Sequence, residues 1–214
     1  MTQGFSYNNW PADTQRSRIC VEPFSAAGVD FPGGVRRGDV ATVLRYVAEQ
    51  FNSHVEPLVN PGCWGYSFRQ NRNANNLSCH SSGTAIDVNA PQHPNGIEAS
   101  RNFTPAQIAA VHKILASISE LSEVVHWGGD WHAPSLRPDP MHFEIHDHNL
   151  DKLARVAKRI RDKQMGRTVN NVTRLRAEVL AACETYGDHI PKNRTVARLW
   201  VAAIRRIALR GPKQ

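Results

Sequence analysis

Two short stretches of this chain alternate apolar and polar side chains, and each carries metal-binding chemistry on its polar side. In Thr84-Ala85-Ile86-Asp87-Val88-Asn89, an extended strand puts Thr84, Ile86 and Val88 on one face and Ala85, Asp87 and Asn89 on the other. In Met141-His142-Phe143-Glu144-Ile145-His146, Met141, Phe143 and Ile145 point one way and His142, Glu144 and His146 the other. Two such segments call for one sheet in which they lie side by side, with apolar backs on a core and ligand-bearing fronts together. His80 precedes Asp87 by seven residues across a bend at Gly83, and Asp139 precedes His142 by three. Two imidazoles and one carboxylate can hold a zinc ion and leave its fourth position to water, while a further carboxylate serves that water as general base. Together the two stretches read as a metallohydrolase. Neither half says this alone, because the chain has 10 histidines and a lone histidine is more often structural.

The fixed positions Ser78, His80, Gly83, Ala85 and Asp87, followed in order by Asp139 and His142, resemble the signature of the zinc D,D-peptidase family. That signature is S-x-H-x-x-G-x-A-x-D, then a carboxylate three residues before a second histidine. The family includes vancomycin-resistance carboxypeptidases and the L-alanyl-D-glutamate endopeptidases of phage endolysins. The resemblance covers residues 35–150 and takes in Trp64-Gly65-Tyr66-Ser67-Phe68-Arg69 and Trp127-Gly128-Gly129-Asp130-Trp131. It implies an α+β fold, a small antiparallel sheet flanked by helices as in the zinc D,D-peptidase and hedgehog-like fold; beyond the resemblance, the residues after 150 read as a basic helical C-terminal extension. It also implies zinc (Zn2+) held by His80, Asp87 and His142, Asp139 as general base, and Arg69 steadying substrate and oxyanion. Glu144 is the next candidate for the base.

Trp127 and Trp131 read either as core aromatics beside a turn or, as the resemblance suggests, as walls of the substrate cleft; with Ser78 they form the expected substrate-binding set. An aspartate rather than a glutamate as base is closer to the endolysin branch. His146-Asp147-His148 is an alternative source of zinc ligands, since related peptidoglycan metallopeptidases use H-x-H. His142 fits better, because Asp139 precedes it at the family spacing.

Charge is the second constraint. Residues 1–150 hold 10 Lys and Arg against 14 Asp and Glu, whereas residues 151–214 hold 16 against 5, so the net +7 comes from the C-terminal part. Such basicity implies an anionic partner. With a peptidase, that partner is expected to be an anionic cell-wall polymer met by the C-terminal helices on bacterial peptidoglycan. Nucleic acid is not expected: the sequence pI of 9.6 would suit it, but zinc-finger spacing and basic-aromatic RNA motifs are missing. A basic nucleic-acid- or wall-binding protein without catalysis is the alternative of another class.

No apolar run has the length of a transmembrane helix, and Met1-Thr2-Gln3-Gly4-Phe5-Ser6-Tyr7 lacks the pattern of a secretory signal. A monomer made in the host cytoplasm and acting at the wall after holin-type release is the corresponding expectation. Cys20, Cys63, Cys79 and Cys183 contain no C-x-x-C pair and read as buried thiols, with a disulfide as the alternative.

The chain divides into an irregular lead-in at 1–34, a peptidase domain at 35–150 and a basic helical extension at 151–214. Val40, Val43, Leu44, Val47 and Phe51 predict a helix from Gly38 to Asn52. Thr104-Pro105 predicts the capped start of another, with Ile108, Val111, Ile114, Leu115 and Ile118 as its apolar stripe. Residues 61–77 read as a strand and a polar loop. The extension reads as a helix from Leu150 to Lys163, a second marked by Val172, Leu175, Val179 and Cys183, and a third marked by Val196, Leu199, Trp200, Ala203, Ile204 and Ile207. These helices either append to the peptidase as a wall-binding region or seal its core.

Overall fold

The computed structural model describes residues 3–71, 75–132, 136–187 and 202. The third C-terminal stripe, from Val196 to Ile207, and its arginines lie outside the described residues. The chain forms two compact units, Met1–Arg161 and Asp162–Gln214.

Paired short strands fill the first part of unit one. They are β1 (Gly4–Phe5) with β2 (Pro11–Ala12), β3 (Val21–Glu22) with β6 (Val35–Arg36), and β4 (Ser25–Ala26) with β5 (Val29–Asp30), all antiparallel. Helix α1 (Asp39–His54) follows, then a 3-10 turn at Cys79–Ser82 and strand β7 (Ala85–Asp87). Next come α2 (Ala99–Asn102), α3 (Pro105–Ala116), α4 (Leu121–Val124), β8 (Val125–Trp127), a 3-10 turn at Gly128–Asp130, β9 (His142–Ile145) and α5 (Leu150–Gly187). The fold is α+β with small antiparallel sheets, compatible with a zinc D,D-peptidase-like fold carrying a C-terminal helix.

The central sheet has the order β7-β9-β8, with both pairings antiparallel. The two ligand-bearing stretches are therefore neighbours, and Asp87 stands directly opposite His142. Ile86, Phe143, Ile145 and Val125 bury the sheet's apolar back, where α1 contributes Val43, Leu44, Val47 and Phe51 and α3 contributes Val111 and Leu115. Phe51 meets Phe143 edge to face at 6.0 Å between ring centres.

Helix α3 starts as its sequence dictates. Thr104 accepts from the Gln107 backbone while the Gln107 side chain returns to Thr104, a reciprocal cap, and Pro105 opens the first turn. Among the described residues between 61 and 77 the chain forms isolated bridges, Trp64 with Asp87, Gln70 with Leu77 and Ser6 with Leu77, rather than the expected strand. Its glycines explain part of this. Gly65 passes so close to Gly34 that a Cβ on it would lie 2.2 Å from the Gly34 carbonyl oxygen, a crossing that only a bare backbone can make.

At the C-terminal end, the two expected helices are one, α5, running from Leu150 to Gly187. The residues between the two stripes include Gly166 but no proline, and a single helical glycine costs only about 1 kcal/mol relative to alanine. Leu153, Val156, Ala157 and Ile160 sit in the core of unit one. Several of the cations nearby are engaged within that unit: Lys152 pairs with Glu123, Arg155 and Arg159 with Glu120, and Arg161 with Asp39. In unit two, α5 exposes Met165, Val169, Val172 and Leu175.

The turn carrying His80 ends at Gly83 with φ +69°, and its carbonyl accepts from Arg36 at 2.7 Å. A Cβ there would lie 2.4 Å from Val21 Cγ2 and 3.0 Å from the Arg36 nitrogen. Gly83→Ala is thus expected to destabilise the protein by about 1–3 kcal/mol, the usual cost of a non-glycine residue forced into this region, as measured by denaturant unfolding.

Candidate active site

The 3-10 turn at Cys79–Ser82 presents His80 to the sheet. Ser78 caps the turn by accepting from the His80 backbone N–H at 3.3 Å. His80 donates its Nδ1 proton to the Gly65 carbonyl at 2.6 Å, which aims Nε2 at Asp87. That Nε2 lies 3.2 Å from Asp87 Oδ1 and 3.1 Å from His142 Nδ1, and His142 Nδ1 lies 3.0 Å from the same Asp87 oxygen. Three ligand atoms thus form a nearly equilateral triangle. A tetrahedral zinc ion with bonds of about 2.0–2.2 Å needs ligand separations of about 3.3–3.6 Å, so a few tenths of an ångström of opening would admit it.

Asp139 reaches the site by a short turn. The His142 N–H donates to the Asp139 carbonyl at 3.0 Å, with Pro140 at the second position, and this explains the spacing of three. The Asp139 N–H donates to the Gly128 carbonyl at 2.9 Å, and a Cβ on Gly128 would lie 2.4 Å from the Asp139 carbonyl oxygen. Asp139 Oδ1 is buried with no hydrogen-bond partner. A buried carboxylate oxygen without a partner is costly, and it fits a group that receives one on binding, such as a metal-bound water. Burial raises the Asp139 carboxyl above the ordinary range.

The residues present therefore fit a metal ion, with His80, Asp87 and His142 as its holders and Asp139 beside them. Asp139, Asp87 and Arg69 line one cavity of about 750 Å³, with Trp64 and Trp131 also on its walls. The Arg69 backbone is pinned by Ser81, at 2.8 Å from its N–H to Ser81 Oγ, while its side chain is exposed. Trp131 covers His142 at 5.5 Å between ring centres.

Two expected substrate contacts sit elsewhere. Trp127 is 1 % exposed, stacks on Phe143 and donates its Nε1 proton to the Pro140 carbonyl at 2.7 Å. Its place in β8 opposite Phe143 turns it to the apolar side, so it is a core residue. Ser78 is 3 % exposed and spent on capping the turn. The H-x-H alternative does not assemble: His146 stacks on His126 and His148 lies against Trp10. His126, Glu144 and His146 bring ligand atoms within 4.8 Å of one another, but the two rings are nearly parallel and the Glu144 carboxylate is already engaged.

Both carboxylate oxygens of Glu144 are engaged by side chains of the chain. Glu144 Oε2 accepts from His142 Nε2 at 2.9 Å, and Glu144 is 1 % exposed. The Tyr7 hydroxyl donates to Glu144 Oε1. Burial, and then the Glu144 charge, push the Tyr7 phenol well up, so it remains a donor. The Cys79 thiol also faces Glu144, and burial pushes it up as well. Cys20, Cys63 and Cys79 form no disulfide. Tyr7 and His126 had no local signal in the sequence: a tyrosine in a lead-in and one histidine among 10 are unremarkable until the sheet places them.

Residues 72–145, about a third of the chain, match the family model described as D-alanyl-D-alanine carboxypeptidase. The matched stretch contains His80, Asp87, Asp139 and His142 but not Arg69 or Tyr7. No curated protein and no solved structure matches the chain.

Burial disfavours a charged His142, yet the Asp87 and Glu144 carboxylates outweigh it and push the imidazole up to about 10. Burial also opposes a charged Asp87, but His80 and His142 hold its carboxyl far below the ordinary range. In the metal-free protein a proton on His142 Nδ1 thus stands where a cation would, and an entering ion must displace it. Because this pKa is raised, the proton competes well above the ordinary histidine range. Apparent zinc affinity is expected to rise about tenfold per pH unit from pH 6 to 9, as read with a competing chelator. A histidine titrating near 6.5 would instead let the slope level off above pH 7.

Proposed function

We propose that the chain is a zinc-dependent peptidase that cleaves a peptide bond in the stem peptide of bacterial peptidoglycan. The reading rests on one observation above all: the triangle of His80, Asp87 and His142 beside the unpartnered carboxylate oxygen of Asp139. The bound ion would supply a polarised carbonyl and an acidified water. Asp139 takes the water's proton at its free oxygen and passes it to the leaving amine. Arg69, which lines the same cavity, would supply positive charge for the oxyanion that develops on the carbonyl oxygen. Trp64 and Trp131 border the same cavity and offer apolar faces to an extended peptide.

An aspartate as base favours the endolysin type, with L-Ala–D-Glu or D-Ala–diaminopimelate as the bond cut. The description of the matching model favours D-Ala–D-Ala carboxypeptidase as the second reading. Mass spectrometry of fragments released from purified peptidoglycan distinguishes the three bonds. The basic residues of 151–214 would hold the enzyme on an anionic wall; among the described residues, no helix is long and apolar enough to cross a membrane.

His80→Ala, Asp87→Ala and His142→Ala are each expected to lose zinc by elemental analysis, whereas His146→Ala and His148→Ala keep it. Asp139→Ala is expected to keep zinc and fold while turnover falls at least about 100-fold. Arg69→Ala is expected to cost about 10²–10³ in turnover. Near-normal turnover in Asp139→Ala would place the base elsewhere. Binding of the full chain to intact sacculi is expected to weaken as salt rises, because exposed charge contacts are screened first; salt-independent binding would count against wall targeting by charge.

A further inference from the structure

The hairpin of β1 and β2 lies outside the stretch that matches the family model, yet it is bonded to the elements that carry the metal-binding group. Ser6 Oγ donates to Ser82 Oγ at 2.8 Å, at the end of the turn that presents His80. Asn8 Nδ2 donates to Thr84 Oγ1 at 2.9 Å and to the Ile145 carbonyl at 2.7 Å, so one side chain ties the approach to β7 to the end of β9. The Tyr7 N–H donates to the Leu77 carbonyl at 3.0 Å, and Trp10 Nε1 to the Asp147 carbonyl at 2.9 Å. Ser6 and Asn8 are each 2 % exposed. Buried polar groups cost about 1–3 kcal/mol apiece when left unpaired, so these contacts hold the hairpin in one place.

What that placement delivers is the Tyr7 hydroxyl, against Glu144 Oε1. The other Glu144 oxygen holds His142 Nε2, and His142 Nδ1 faces Asp87 and His80. We propose that Tyr7 is a positioning residue of the metal centre, orienting the Glu144 carboxylate so that Glu144 fixes the ring of His142. The inference rests on the reading of His80, Asp87 and His142 as the zinc site. Such partners of a ligand set its tautomer and ring angle, and losing one typically costs about 10–100-fold in metal affinity. Tyr7 acts one bond further out, which puts its effect at the lower end. The Cys79 thiol beside Glu144 is too weak a donor to take its place.

Tyr7→Phe in the full chain removes only the hydroxyl. Its zinc dissociation constant, read by chelator competition, is expected to rise about tenfold, and kcat on a soluble muropeptide to fall with KM within about twofold. Loss of this part-buried hydrogen bond would lower the metal-free melting midpoint by about 2–4 °C whatever its role, so affinity is the deciding measurement. Wild-type zinc affinity in Tyr7→Phe, or a raised KM with unchanged kcat, would overturn the inference. His80→Ala, measured alongside, separates the two claims. If it loses zinc while Tyr7→Phe does not, the role of Tyr7 fails alone; if it retains wild-type affinity, the metal centre itself has been misread.

Discussion

The cross-strand pairing of Asp87 with His142 is the contact on which the rest of the site depends. Side chains directly opposite in an antiparallel pair lie about 4.5–5.5 Å apart at Cβ, close enough to share one ion. A slip of one residue would turn one of them to the core face. The apolar backs prevent that slip. Ile86 and Phe143 are register partners buried under α1, so moving either strand by one would put a carboxylate or an imidazole against Phe51 and Leu44. The hydrophobic core thus enforces the pairing of Asp87 with His142 from the opposite face of the sheet.

Around that pair, backbone devices aim the remaining groups. A 3-10 turn closed by Gly83 raises His80 to the third corner, and the Gly65 carbonyl selects which of its nitrogens faces Asp87. A proline-led turn returns Asp139 to the mouth of the site, and Gly128 allows the neighbouring loop to press on it. Each device is local, but each needs a surface from a distant segment: Arg36 for Gly83, Pro32 and Gly34 for Gly65.

The charges of the site are balanced for a cation. Asp87 and Glu144 flank His142 and hold its imidazole in the charged form, so in the absence of metal a proton occupies the middle of the cluster. Removing one member of such a buried set leaves the others uncompensated. The same logic extends outward through Glu144 to Tyr7, which ties the first residues of the chain to a centre built from residues 80–142.

The sequence by itself determined the candidate ligand types, their order, the alternation that puts Asp87 and His142 on the polar faces of their strands and the capped start of α3, because these depend on spacing and on neighbours a few residues away. The spacing of Asp139 from His142 was legible too, since the turn of four residues that produces it is local. Only the tertiary structure decided that Trp127 turns inward while Trp131 faces the cavity, since strand register and not composition sets which side of β8 an indole takes. It likewise decided that Ser78 caps a turn, that the two predicted C-terminal helices are one through Gly187, and that Glu144 is bonded to His142. Tyr7 was the least legible of all. Its part depends on Ser6 and Asn8 finding Ser82, Thr84 and Ile145 across separations of 76 to 137 residues, and contacts that distant in sequence leave no periodic trace to read.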